Sequence, residues 1–116
     1  MDTVRVVQSG SGVRVAERTR VAGTWWHRLR GLLGRPELVT GEGMLLLDCE
    51  SVHTAGMGYP IDVAFLDGNG RVVRTVSRLA PWRLGFGGRD AVHALELPAG
   101  RLTETGTTAG THLDWS

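Results

Sequence analysis

The chain has 116 residues, a length at which one domain with one hydrophobic core is expected and a second domain is not. Its hydrophobic fraction of 41% and charged fraction of 22% are ordinary for globular proteins, which excludes an intrinsically disordered chain. The net charge is only +1, so the composition gives no reason to expect a nucleic-acid partner.

The sequence lacks lysine, a second cysteine and a long apolar segment, and each absence excludes a class of function or structure. All 13 basic residues are arginine, so neither Schiff-base chemistry on a lysine nor a phosphate-loop lysine is available. Cys49 is the only cysteine, which excludes an intrachain disulfide. No segment approaches the roughly 20 apolar residues of a membrane-spanning helix, and the first residues lack an apolar signal region. We therefore expect a soluble, cytoplasmic domain with no membrane partner.

The first elements predicted along the chain are a hairpin and a helix. Alternating valines on both sides of residues 9–12 predict two half-buried strands joined by a flexible turn. Over residues 24–34 the period changes, because Trp25, Trp26 and three leucines fall within an arc of about 120°. Thr24 is placed to cap this helix and Gly34 to end it. We expect at least one of the two tryptophans to pack in the core.

The remaining elements are predicted to be strands. Short segments rich in Val, Leu or Phe, bounded by Gly, Pro or Asp, lie at residues 44–47, 61–66, 71–76 and 92–97. Asp67-Gly68-Asn69-Gly70 has the residues of a tight hairpin turn. Residues 79–89 are predicted to be a long surface loop and residues 112–115 a final strand.

These elements predict the fold class. Many short strands, 17 glycines and a single helix favour a mainly β fold. We expect a β-sandwich or a partly closed, jelly-roll-like barrel, with the short helix near residues 24–34 covering one end. The whole chain, residues 1–116, is predicted to form this one domain.

Four motifs give the sequence a family resemblance. They are Gly31-Leu32-Leu33-Gly34-Arg35, Gly43-Met44-Leu45-Leu46, Met57 with Pro60-Ile61-Asp62-Val63-Ala64-Phe65-Leu66-Asp67, and Leu95-Glu96-Leu97-Pro98-Ala99-Gly100. In this order they resemble the domain-of-unknown-function 192 family, over about residues 16–114. The resemblance implies a compact β fold, a bacterial or archaeal origin and no established activity. Two family features are replaced here, because Gly58 stands where a basic residue is common and Gly110-Thr111 where Gly-Asp is common.

A possible row of ligands begins at Cys49. Cys49, His53 and Met57 follow at four-residue intervals, and all three residue types bind copper or zinc. In a strand, residues four apart are separated by roughly 13 Å, too far to converge on one ion, so we expect no metal site. The same alternation places Cys49, Ser51, His53, Ala55 and Met57 on one face, which either packs or lines a cavity. Cys49 is the candidate reactive thiol, with a buried, inert thiol as the favoured interpretation.

Two carboxylates lie among apolar strand residues, where an unpaired charge is costly. They are Asp62 and Glu96, and Arg35 and Arg83 are the arginines that we expect to pair with them. The functional alternative is that His53 and Arg83 converge with both carboxylates at a pocket rim and hold a polar ligand or an anion.

The function that we predict is binding by a small non-catalytic domain. The occupant would be a small polar ligand or a protein partner, with no cofactor, and the candidate residues are His53, Met57, Asp62, Arg83 and Glu96. One alternative is a hydrolytic or redox enzyme that uses Cys49 and His53 with the two carboxylates. Another alternative is a scaffold or assembly subunit.

Overall fold

A computed structural model describes all of residues 1–116. Its elements are short and follow in this order: β1 (Thr3–Gln8), β2 (Arg14–Ala22), α1 (Trp25–Arg30), β3 (Glu42–Leu46), β4 (Ser51–His53), β5 (Ile61–Leu66), β6 (Val72–Leu79), β7 (Leu84–Phe86), β8 (His93–Pro98), α2 (Arg101–Thr105) and β9 (Leu113–Trp115). Seven strands form one sheet in the order β6-β5-β8-β3-β2-β1-β9, and β4 pairs with β7 in a separate ribbon. The fold is mainly β, as predicted.

The seven-stranded sheet curls until its two edges meet at one point. Arg71, at the start of β6, pairs with His112, just before β9, and the Val72 N–H donates to the Thr111 carbonyl at 2.8 Å. All neighbouring strands are antiparallel except β2 and β3, which run parallel. Of the two predicted architectures, the structure is the partly closed barrel.

Apolar side chains pack on both faces of this sheet. The inner core fills the barrel and consists of Val6, Val15, Ala16, Leu45, Ala64, Leu66, Val72, Leu95, Leu97, Leu102 and Leu113. The outer core lies on the opposite face, under the β4–β7 ribbon and the segment that follows α1: Ala22, Leu32, Met44, Leu46, Val52, Met57, Ile61, Val63, Phe65, Leu79, Ala91 and Ala94. Strand β5 supplies alternate residues to the two cores, and all six of its residues are buried.

The helix predicted for residues 24–34 is present but shorter and differently packed. Its first turn is capped as expected, because the Thr24 Oγ1 accepts from the His27 N–H at 3.2 Å. It ends already at Arg30, since Gly31 takes a positive φ of 51°. None of its residues is buried, and Trp25 and Trp26 are 67% and 60% exposed. The expectation that one tryptophan packs in the core is therefore wrong.

The other elements match the sequence predictions except in two places. The opening hairpin, the strand at Ile61–Leu66, the turn after it and the final strand are all confirmed. The predicted loop at residues 79–89 contains β7, and the five-residue helix α2 was not predicted. Both elements are held by distant partners, β4 and the Asp62 side chain, which a local sequence pattern does not show. Neither helix has the length and apolarity that crossing a bilayer requires.

Asp62 holds the end of the barrel together through backbone contacts. It is fully buried on β5, its Oδ1 accepts from the Arg78 N–H and its Oδ2 from the Leu102 N–H, each at 2.9 Å. The expected pairing with an arginine side chain does not occur. One carboxylate thereby joins the barrel wall at β6 to the first turn of α2, whose donors would otherwise be unpaired.

We predict that Asp62→Ala lowers the free energy of unfolding by about 2–5 kcal/mol, because two backbone N–H groups lose their acceptor in a buried setting. Urea denaturation followed by circular dichroism measures this loss. Asp67→Ala is the matched control, since Asp67 also accepts from two backbone N–H groups, those of Asn69 and Arg71, but in an exposed turn where water replaces it. Equal losses in the two variants would contradict the assigned role of Asp62.

Candidate functional site

The structure brings two of the predicted site residues together and leaves three apart. His53 on β4 and Glu96 on β8 line one cavity of about 30 Å³ beneath the end of α1, called here the inner cavity. Met57 is buried in the outer core and Arg83 lies on the exposed turn before β7. Asp62 pairs with Leu97 across β5 and β8, so it faces the barrel, opposite to Glu96. The four polar side chains therefore do not share one rim.

Glu96 is a buried carboxyl with an unpaired oxygen. Only 3% of the residue is exposed, and its Oε1 has no hydrogen-bond partner, so the expected pairing with an arginine does not occur. Its neighbours in cross-strand register are Met44 on β3 and Val63 on β5, both apolar. Burial raises the pKa of Glu96 to about 8, and the carboxyl is therefore mostly neutral at pH 7. A neutral carboxyl can donate a hydrogen bond as well as accept one.

His53 has a defined hydrogen-bonding pattern. Its Nε2 lies 3.2 Å from the Leu29 carbonyl oxygen, which can only accept, so we assign the hydrogen to Nε2. In the neutral ring Nδ1 then carries a lone pair, and this atom is buried without a partner. The inner cavity is thus lined by two residues that each have an unpaired buried atom, the Nδ1 of His53 and the Oε1 of the neutral Glu96 carboxyl. Its volume suits one or two groups the size of water.

Cys49 lies near this cavity as a half-buried thiol. Its Sγ donates to the Ser51 carbonyl at 3.0 Å. Burial raises the pKa of Cys49, and the nearby Glu96 adds to the rise, so the thiol form predominates at neutral pH. The row predicted from Cys49 to Met57 is broken, because β4 ends at His53 and Gly56 turns the chain at a φ of 80°. No group of three or more His, Cys, Asp or Glu side chains is close enough together to hold a metal ion.

A larger pocket of about 340 Å³ lies beside the inner cavity, on the same face of the sheet, and is called here the arginine pocket. Arg18 and Arg20 enter it from β2 and Arg35 from the segment after α1. The protein has four ion pairs, and none of them involves these three residues. Burial lowers the pKa of Arg35, and the adjacent positive charges of Arg30 and Arg20 lower it further. Three arginines and one acidic residue, Glu42, line the pocket, so its net charge is positive.

The two compartments are lined by neighbouring residues of the sheet. Arg20, Met44 and Glu96 are in register across β2, β3 and β8, and Met44 also lines the arginine pocket. With strands about 4.8 Å apart, the Cα atoms of Arg20 and Glu96 are roughly 10 Å from each other. Above this row, the Arg35 Nε donates to the Gly31 carbonyl at 3.2 Å. Gly31 lies directly over the Glu96 carboxyl, since a Cβ built on it would be 3.5 Å from Oε1.

The sequence does contain one pattern that indicates part of the arginine pocket. In Arg18-Thr19-Arg20 two arginines alternate with a fully buried threonine, a pattern that places both arginines on one face of β2. This face receives Arg35 only because the chain crosses over the sheet between β2 and β3. No local sequence pattern predicts the path of this crossover.

Comparison with protein families identifies the chain. The model of DUF192, described as an uncharacterized ACR, matches residues 5–115, which is nearly the whole chain. The chain belongs to the DUF192 family. The resemblance inferred from the four motifs is thereby confirmed. No curated protein matches the sequence.

Solved structures share the fold of this DUF192 domain. A protein of unknown function from Novosphingobium aromaticivorans DSM 12444 is 24% identical, with a TM-score of 0.83 over 97% of this chain and 84% of that one. A candidate transcription regulator from Sinorhizobium meliloti 1021 is 22% identical, with a TM-score of 0.84 over 97% and 92%. A candidate exported protein from Burkholderia pseudomallei K96243 is 14% identical, with a TM-score of 0.52 over 98% of this chain but 24% of that one. At these identities the likeness extends to the fold alone.

We predict that Glu96→Gln removes part of the pH dependence of stability of this DUF192 domain. The pKa of Glu96 is about 8 in the folded protein and 4.5 in the unfolded chain, so the folded state binds more protons between these pH values and wild-type stability falls as pH rises. Below pH 4.5 this contribution is constant, and above pH 8 its loss is complete. The variant should therefore gain stability over the wild type, on the order of a few kcal/mol by pH 9.

Urea denaturation at several pH values between 5 and 9 measures the difference between the two proteins. Groups that titrate identically in both cancel in this comparison. Glu104→Gln serves as control, because Glu104 is an exposed carboxylate on α2. Parallel stability curves for the wild type and Glu96→Gln would show that Glu96 ionises at its ordinary pKa.

Proposed function

We propose that this DUF192 domain binds a small organic anion in the arginine pocket. The observation that carries the proposal is the convergence of Arg18, Arg20 and Arg35 on one pocket while none of them has a carboxylate partner. This is the polar-ligand form of the binding function expected from the sequence, with different residues in contact with the ligand.

Electrostatics favours an anion. Burial lowers the pKa of Arg35, and repulsion from the positive charges of Arg30 and of Arg20, which lines the same pocket, lowers it further. A bound anion would relieve the repulsion, and guanidinium groups bind carboxylate or phosphate oxygens through two parallel hydrogen bonds. Arg35 is also held in place through its Nε and the Gly31 carbonyl, which reduces the entropy lost on binding.

The shape of the pocket favours a small ligand with an apolar part. A volume of about 340 Å³ lies at the lower end of the range for metabolite sites. Leu32, Leu38 and Met44 supply the apolar lining. Glu42 also lines the pocket, and its Oε1 accepts from the Val39 N–H at 2.9 Å. A dicarboxylate or a phosphate ester with a short carbon chain has the matching chemistry.

The enzyme alternative required Cys49, His53 and both carboxylates within hydrogen-bond reach of one another. Asp62 faces the barrel while Glu96 faces the outer core, so the four groups cannot form that site. The remaining pair at the inner cavity, His53 and Glu96, has room for a water-sized group, and the proposal does not depend on it.

We predict that Arg20→Gln weakens anion binding by about tenfold or more, because one charge-assisted hydrogen-bonding group is lost. Isothermal titration calorimetry with inorganic phosphate, succinate and citrate measures the affinity, and glycerol serves as the uncharged comparison. Arg18→Gln should behave in the same way. Arg14→Gln is the matched control, since Arg14 is an exposed arginine of the same strand that pairs with Glu17 outside the pocket.

The result that supports the proposal is binding of at least one anion that the pocket variants weaken and Arg14→Gln leaves unchanged. Chemical-shift changes in a nitrogen-15 spectrum should then centre on Arg18, Arg20, Gly43 and Met44. If none of the three anions binds, or if all variants bind equally well, the arginine pocket is not a site for small anions.

A further inference from the structure

The protein has a second surface on which several large apolar side chains are exposed. A globular domain of this size ordinarily buries most of them. Seven large apolar residues form it and are called here the aromatic patch: Trp25, Trp26, Leu29, Leu33, Trp82, Leu84 and Phe86. The first four belong to α1 and the turn after it, and the last three to β7 and the turn before it. Three of the four tryptophans of the chain lie in this patch.

His53 and Gly56, which are not themselves part of the patch, connect its two halves. The His53 ring reaches the Leu29 carbonyl from β4, and His53 is paired with Leu84 across the ribbon. Leu33 lies so close to Gly56 that a Cβ there would be 2.8 Å from its Cδ1. The patch is therefore one surface that extends from α1 across the ribbon.

Arginines surround the patch. Four of them donate to backbone carbonyls in it or next to it: Arg28 to Gly23, Arg30 to Leu33, Arg74 to Phe86 and Arg83 to Trp82, at 2.8 to 3.3 Å. None of the four forms an ion pair. One acidic residue, Glu50, stands just before β4. These four arginines place positive charge at the margin of the patch, and their guanidinium groups keep free N–H donors for an external anion.

Trp82 has a backbone conformation that is unfavourable for its residue type. Its φ is 60°, a left-handed value that is unfavourable for a bulky residue. Thr54 fixes the turn, because its carbonyl accepts from the Trp82 N–H at 3.0 Å and its Oγ1 from the Arg83 N–H at 2.9 Å. Trp82 is nevertheless 69% exposed, so little burial offsets this strain. Strained backbone of this kind clusters at functional sites.

We propose that the aromatic patch binds the surface of an anionic lipid bilayer. Tryptophan, phenylalanine and leucine insert at the boundary between headgroups and acyl chains, while arginines at the margin bind the lipid phosphates. This proposal departs from the expectation of no membrane partner, which was based on the lack of a spanning segment. No residue of the patch lines the arginine pocket, so this proposal is independent of anion binding there.

A lipid surface fits this patch better than a protein groove does. Protein partners bind tightly where an anchor side chain enters a well-packed pocket. The tryptophans and Phe86 instead project from separate elements, and a fluid headgroup layer can deform around them where a rigid partner needs matching recesses.

Vesicle binding of the full chain tests the proposal. The probes are vesicles of phosphatidylcholine alone and of equal parts phosphatidylcholine and phosphatidylglycerol, with co-sedimentation and tryptophan fluorescence as readouts. We expect binding to the anionic vesicles, a blue shift of the emission, and loss of both at about 1 M salt, where the Debye length is only about 3 Å. Trp115 does not contribute to the shift, because it packs against the inner core and the His93 ring.

Two variants separate lipid contact from folding. Trp82→Asn should fold at least as stably as the wild type, because asparagine tolerates a positive φ, yet bind vesicles roughly tenfold more weakly. Arg83→Gln should weaken binding by about fivefold. The controls are Val13→Ser, an exposed apolar residue in the β1–β2 turn, and Arg14→Gln, which both lie outside the patch and should bind like the wild type.

Three results would overturn the proposal. One is the absence of co-sedimentation with anionic vesicles, and another is equal binding to neutral and anionic vesicles. The third is binding that the control variants lose as much as the patch variants. If vesicles fail while an acidic amphipathic peptide protects the tryptophans from acrylamide quenching, the patch is a protein-docking surface and the lipid proposal is wrong.

Discussion

The central strands of this barrel are buried on both faces, and that constraint decides how every polar group on them behaves. Strand β5 has no exposed residue, and β8 has four buried residues in a row. A carboxyl placed there must either find donors or lose its charge. Asp62 finds its donors in two backbone N–H groups. Glu96, whose pKa is about 8, is mostly uncharged at pH 7. The two acids of adjacent strands thus have opposite roles, one in stability and one at a cavity.

The single parallel pair in the sheet builds the candidate site. Strands β2 and β3 run in the same direction, so the chain between them must cross over the sheet before it returns. That crossover carries α1, Gly31, Leu32 and Arg35, and it covers the outer face just where Arg20, Met44 and Glu96 are in register. The arginine pocket and the inner cavity are both spaces left under this crossover, one on each side of its contact with the sheet.

Sequence patterns were sufficient for the elements whose signals are local. Alternating valines, the Asp67 to Gly70 turn and the apolar run of β5 each specify their own conformation, and all three were predicted correctly. The patterns failed where a contact with a distant part of the chain determines the local structure. Five residues form α2 because a carboxylate of β5 caps them, and β7 exists because β4 pairs with it. The apolar arc of α1 indicated burial, yet only Leu32, beyond the helix end, reaches the core. Of the residues at the two cavities, His53 and Glu96 were predicted from the sequence. Arg18 and Arg20 were not, because their position in the arginine pocket depends on how β2 pairs with β3.

The barrel is closed by its last strand, and this has a consequence for synthesis on the ribosome. Strand β9 pairs with β1, more than 100 positions earlier, and residues 110–113 bond to residues 70–72. The open edges of β1 and β6 therefore stay unpaired until residues 110–115 have left the exit tunnel. During that interval they are exposed to other nascent chains. We expect chaperone dependence to be concentrated in this short period.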